Sequence, residues 1–219
     1  MSRVDFGWWN FWAPGTRDWL GKTIGVQVDM WEYGASVAAA WNCAISILMP
    51  LEELRKHPRT DDILGTMRRW GDVRRCGLFR EEWRDPLKNY AQEHHLLELP
   101  GGGYDLVPYR MASDGMRPDF PVRAFVFERD GVAWAVYWHV FGEDRFVLPL
   151  KAENVDLFDA FATRPAAIEG VDDGVVLLAG NRRYLRVSDM SCAVLADAFA
   201  HGRLVRTSAS AKPQIPLER

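Results

Sequence analysis

Two carboxylates stand close together in the stretch VDMWEYG: Asp29 and Glu32, either side of Trp31 and followed by Tyr33. Cleavage of a glycosidic bond calls for two carboxyl groups, one giving a proton to the leaving oxygen and one acting as nucleophile or base. An indole beside them offers a flat apolar face on which a pyranose ring stacks. Asp29 and Glu32 are therefore the candidate catalytic pair. A second aromatic cluster lies in DFGWWNFW near the start of the chain. Its Asp5, Trp8, Trp9 and Trp12 join Trp31 and Tyr33 as candidate substrate-binding residues, with Asn10 as a further hydroxyl partner. Each assignment has a plainer counterpart: an aspartate near a strand end caps a helix or closes a turn, and tryptophan fills cores.

Other motifs are weaker. Glu93, His94 and His95 suggest a metal, but adjacent residues of a strand point to opposite faces, so a satisfied histidine pair fits better and no metal is expected. The glycine run LPGGGY joins strand to strand and lacks the helix whose N-terminus would hold phosphate, so it reads as a turn. Cys43 has no recognisable base beside it. Arg68, Arg69, Arg74 and Arg75 read as a solvated basic strip.

With 219 residues, 48% of them apolar, the chain has enough material for a core. A net charge of −3 with interleaved signs gives no basic face for nucleic acid or an anionic membrane. The three cysteines, Cys43, Cys76 and Cys192, are too scattered for a disulfide framework or a zinc site, which favours a reducing, cytoplasmic setting. The longest apolar run, Cys43 to Leu51, is too short to span a bilayer.

These residues must be positioned by elements that the pattern outlines. Val4–Phe11, Ile24–Asp29 and Cys43–Leu48 read as strands, Gly34–Trp41 as a helix. Ile63, Leu64, Met67, Trp70 and Val73 recur at helical spacing and predict a helix over Thr60–Arg75, capped by Thr60 or Asp61. A short helix over Phe79–Trp83 should stop before Asp85–Pro86. Beyond Pro86 the period changes to that of hairpins: His94–Leu99 with Tyr104–Tyr109, Val122–Glu128 with Val132–Val140, then Arg145–Leu150, and Val175–Leu178 with Tyr184–Val187. Ser191–His201 closes as a helix, capped by Ser188 or Asp189 and ended by Gly202. The expected class is mixed α+β or α/β, with βα units over 1–86, an antiparallel β domain of sandwich kind over 87–205, and a disordered tail over 206–219.

The stretches KTIGVQVDMWEYGASVAAAWNCAISI, TMRRWGDVRR, RDPLKNYAQEHHLLELPGGGYDLVPYRM and VYWHVFGEDRFVLPL resemble the closing portion of bacterial glycoside-hydrolase-like proteins, a (β/α)8 barrel followed by a small β domain. The resemblance implies that the first three strands are the last strands of such a barrel, and that Thr60–Arg75 is its final outer helix. The ligand would be an oligosaccharide or glycoside, with no cofactor. A whole barrel takes about 250 residues, whereas some eighty precede the β domain here. A C-terminal fragment, self-association or a partner chain completing the barrel is therefore expected. The alternative is a non-catalytic carbohydrate-binding or interaction module, or an inactive remnant.

Overall fold

The computed structural model describes residues 5–17, 21–112, 122–140, 145–178 and 180–205. The expected disordered tail lies outside them, as do the side chains of Asp5 and Trp8. Strand β1 (Asp5–Asn10) is followed by a small hairpin, β2 (Gly15–Arg17) with β3 (Gly21–Thr23). Helix α1 (Val28–Ala40) crosses over to β4 (Ala44–Leu48), which runs parallel to β1 with Trp9 opposite Ile47. The run of alanines favours α1, and Asp29 in its first turn complements the helix dipole. Its end is a Schellman turn: Asn42 takes a left-handed conformation (φ 52°), and the amides of Asn42 and Cys43 return to Ala39 and Ala38.

The expected strand over Ile24–Asp29 is not formed. Gly25 has φ 69° and lies so near the Trp12 carbonyl that a Cβ would sit 2.5 Å from the oxygen, so the backbone turns there, and Val28 and Asp29 enter the helix. Helices α2 (Leu51–Lys56) and α3 (Thr60–Arg75) follow. Helix α3 has the predicted bounds but not the predicted cap. Arg59 holds the cap position, and Thr60 donates its hydroxyl to the carbonyls of Leu54 and His57 instead. After a 3-10 turn at Glu81–Trp83, α4 (Arg84–Lys88) contains Pro86 rather than stopping before it. Proline is tolerated there because a first-turn residue has no intrahelical acceptor for the N–H it lacks.

The remaining strands are β5 (His94–Glu98), β6 (Tyr104–Pro108), β7 (Arg110–Met111), β8 (Val122–Arg129), β9 (Val132–His139) and β10 (Arg145–Leu148). They continue with β11 (Val155–Ala160), β12 (Thr163–Ala166), β13 (Glu169–Val171), β14 (Gly174–Leu177) and β15 (Arg183–Val187). Helix α5 (Cys192–Ala200) and β16 (Arg203–Val205) complete the order. The expected β5–β6 and β8–β9 hairpins form. The latter turns through Asp130 and Gly131, both at positive φ as the tight Asp-Gly turn demands. The expected pairing of Val175–Leu178 with Tyr184–Val187 does not form: β14 pairs with β10 and β13, whereas β15 pairs with β9 and β11. The cap of α5 is Ser191, whose hydroxyl accepts from the Val194 amide, not Ser188 or Asp189.

The expected α+β mixture with antiparallel sheets is what the structure has. A six-stranded antiparallel sheet runs β12-β11-β15-β9-β8-β7, and a four-stranded one runs β13-β14-β10-β16. The only parallel pairing among the described strands is β1 with β4. The centre of the larger sheet is buried on both faces, which is why β8 and β9 read as nearly continuous apolar runs. Ala124, Val126, Ala135 and Tyr137 pack toward Phe146, Leu148, Val175 and Leu177 of the smaller sheet and Phe199 of α5. Phe125, Phe127, Trp134 and Trp138 pack the other way, against Phe11, Val28, Trp31 and Ile63. A third cluster joins Ala35 and Ala39 to Trp70, Trp83, Leu87 and Leu96.

Candidate functional site

Glu32 faces inward from α1 and is 1% exposed. Its Oε1 accepts from the Trp70 indole N–H at 2.7 Å and from the Leu96 amide at 3.1 Å. Its Oε2 lies 3.2 Å from His95 Nδ1, 3.6 Å from the Arg69 guanidinium and 3.9 Å from that of Arg182. Burial alone would raise the carboxyl pKa, but His95, Arg69 and Arg182 outweigh it and hold the group at about 2.

His95 is itself kept below its ordinary pKa, chiefly by burial, so at neutral pH it is uncharged and the two guanidiniums balance Glu32. A neutral imidazole has one N–H. Facing the carboxylate, that hydrogen belongs on Nδ1, and Nε2 then accepts from the Tyr184 hydroxyl at 2.8 Å. Tyr184 retains its proton because burial raises its pKa.

The partners come from elements far apart in sequence. On α3, residues 59, 62, 66 and 69 share one side by their spacing of three and four. Arg69 donates to Thr66 Oγ1 at 3.0 Å, Asp62 accepts from the Arg182 amide at 2.9 Å, and Arg59 reaches Asn181 Oδ1 at 2.8 Å. Helix α3 is thus bolted to the turn before β15. Arg69, expected on a solvated strip, is buried. It belongs to this inner polar row, while Leu64 of the predicted apolar stripe is turned outward. The row was present in the sequence at helical spacing. What the sequence lacked was any sign that Arg182 and Tyr184 would meet it.

Asp29 and Glu32 are not brought together as a pair facing an opening. Asp29 is buried and accepts a two-pronged contact from Arg123 of β8, Nε to Oδ1 at 3.0 Å. This ties the first turn of α1 to the large sheet. Trp31 is fully buried, its ring 5.8 Å from that of Trp9 and 6.3 Å from that of Phe11. Trp9 lies against Gly34, where a Cβ would fall 2.5 Å from the indole. Trp12 and Tyr33 are half-buried. Glu32 is thus enclosed, and its neighbours hold its carboxyl well below the usual carboxylate range. The crevice between Glu32, His95, Tyr109 and Arg182 has no room for even a water molecule.

An open cleft of about 230 Å³ adjoins the cluster. Arg182 and Tyr184 line both. The other polar lining groups are Asp62 of α3, Glu98 of β5, Asp159 of β11, and Thr163 and Arg164 of β12, with Leu99 and Pro100 as apolar wall. Asp159 is paired with Arg183 at 2.8 Å, whereas Glu98 and Arg164 make no ion pair among the described residues. The arrangement presents acceptors and donors to one space, which suits a ligand rich in hydroxyls. Among the described residues, no cluster of three metal-ligating side chains occurs, and no helix is long and apolar enough to cross a membrane.

No family model matches the chain, and no curated protein matches it. Among solved structures, it is similar to the α-amylase of Geobacillus thermoleovorans complexed with acarbose, at 12% identity over 74% of this chain and 34% of that one, with a TM-score of 0.27. It is also similar to an AmyP variant in complex with maltotriose, at 14% identity over 75% of this chain and 36% of that one, with a TM-score of 0.25. The chain spans about a third of the length of either structure. A likeness this distant carries no argument about barrel or ligand.

Proposed function

We propose that the chain is a carbohydrate-binding protein that takes a neutral oligosaccharide in the cleft between α3, the β5–β6 turn and β11–β12, without hydrolysing it through Asp29 or Glu32. The observation that carries this reading is the state of Glu32: ionised, buried and already engaged by five groups. Its work is to hold the fold. The cleft beside it supports the binding half of the reading, since Glu98 and Asp159 accept from hydroxyls, Arg164 and Arg182 donate to them, and Leu99 with Pro100 offers the apolar contact that a ring face needs. On the same reading, the parallel β1–α1–β4 unit is a remnant of glycoside-hydrolase-like ancestry.

Isothermal titration against a panel of neutral oligosaccharides, alongside a reducing-end assay from pH 4 to 9, tests it. Saturable binding that weakens at least about tenfold in the double variant E98A/R164A, with no turnover at any pH, is expected. Release of reducing ends that disappears in E32Q would return Glu32 to catalysis, and absence of binding across the panel would remove the carbohydrate reading.

A further inference from the structure

A second opening, of about 190 Å³, lies between α1, the start of β4 and α3. Its walls include Ala35, Ala38 and Ala39 on one helix and Met67 and Trp70 on the other. The space exists because three alanines end at Cβ where α1 faces α3. Among the described residues no carboxylate lines it, and the charged groups at its wall are Arg74 and Arg75. Arg75 is answered by Asp72 at 3.3 Å and by the Gly71 carbonyl at 3.1 Å. Arg74 is half-buried at the same groove and has no ion pair or hydrogen bond among the described residues.

A groove with alanine, isoleucine and methionine side chains in its walls and one unanswered guanidinium at its edge complements a molecule with an apolar body and a single negative end. We propose that this groove binds a small amphipathic monocarboxylate of the medium-chain fatty acid class, with its chain in the groove and its carboxylate on Arg74. Methylenes taken from water supply the affinity, while the charge-assisted contact with Arg74 selects the acid. This site is independent of the carbohydrate cleft.

Calorimetric titration of the full chain with octanoate and with octanol tests it. Octanoate should bind saturably and at least about tenfold more tightly than octanol. R74Q should bring octanoate down to the level of octanol without changing the thermal midpoint. Equal binding of acid and alcohol, no effect of R74Q, or no saturable binding of octanoate overturns the proposal. Ala38→Leu fills the slot and should abolish both ligands; retained binding in a folded A38L protein also overturns it. Where A38L does not fold, alkylation of Cys43, which lines the groove, gives the equivalent readout in the unaltered chain. Octanoate should slow that alkylation at least about fivefold while leaving the exposed Cys76 unchanged, and equal rates with and without octanoate count against the site.

Discussion

The two faces of the six-stranded sheet are packed with different materials. Toward the smaller sheet, alanine, valine, leucine and phenylalanine interlock, and among the described residues no buried carboxylate or guanidinium intrudes. Toward the helices, large aromatic rings surround buried ions: Asp29 with Arg123, and Glu32 with Arg69, Arg182 and neutral His95. The first face is held by transfer from water and dispersion, which tolerate modest repacking. The second depends on each charge meeting its counterpart, because a buried ion deprived of its partner costs far more than the intact pair returns.

The sharpest way to break the comparison is Glu32→Ala, which leaves two buried guanidiniums unanswered and should cost about 3–5 kcal/mol in urea unfolding. Leu148→Ala on the opposite face should cost a comparable 2–5 kcal/mol through its cavity, but that loss should not vary with pH. A cost below about 1 kcal/mol for E32A would show that the ionic face is not the more fragile one.

Acid should separate the faces further. His57, His94 and His95 are all held below 6.5, chiefly by burial, so their contribution is complete above that pH and is lost as pH falls beneath it. Glu32, moved from 4.5 to about 2, contributes about 3 kcal/mol that is present above pH 4.5 and lost between pH 4.5 and 2. Denaturation midpoints measured from pH 8 to 2 should show both declines in the parent protein, and E32Q should lack the second.

Gly34→Ala tests the aromatic packing. In an open helix the change would stabilise. Here the new methyl meets the Trp9 ring, and a loss of about 1–3 kcal/mol is expected, with a changed near-UV circular dichroism signal. The smallest effect belongs to the sandwich side: S191A removes the cap of α5 and should cost about 1 kcal/mol, read as a small shift in thermal midpoint.

The sandwich face was the more legible in sequence, for a physical reason. The β8–β9 hairpin announces itself through a local Asp-Gly turn between two apolar runs, and α3 through its spacing. Strands β11 to β13 carry no such signal: they are short and interrupted by Asp156, Asp159 and Pro165, and β12 and β13 lie at sheet edges where such residues are tolerated. The swap of partners between β14 and β15 was illegible because both fit a hairpin locally, and only the choice of sheet separates them. At the candidate site, the spacing of Asp29 and Glu32 suggests a catalytic pair, whereas the structure encloses Glu32 among groups that the local sequence does not announce. Its five partners come from α3, β5 and the segment entering β15, and no window of sequence contains them.

The bond between the Arg182 amide and Asp62 spans 120 positions, and that between His95 and Tyr184 spans 89. On the ribosome, at about 5–20 residues per second, α1 and α3 are made well before the residues that neutralise and seal them. The helical face must therefore wait, hydrated and uncommitted, until the segment entering β15 has been made. Arg69, Trp70, His95 and Leu96 engage Glu32 first, and the seal over this polar row closes only when Arg182 and Tyr184 arrive.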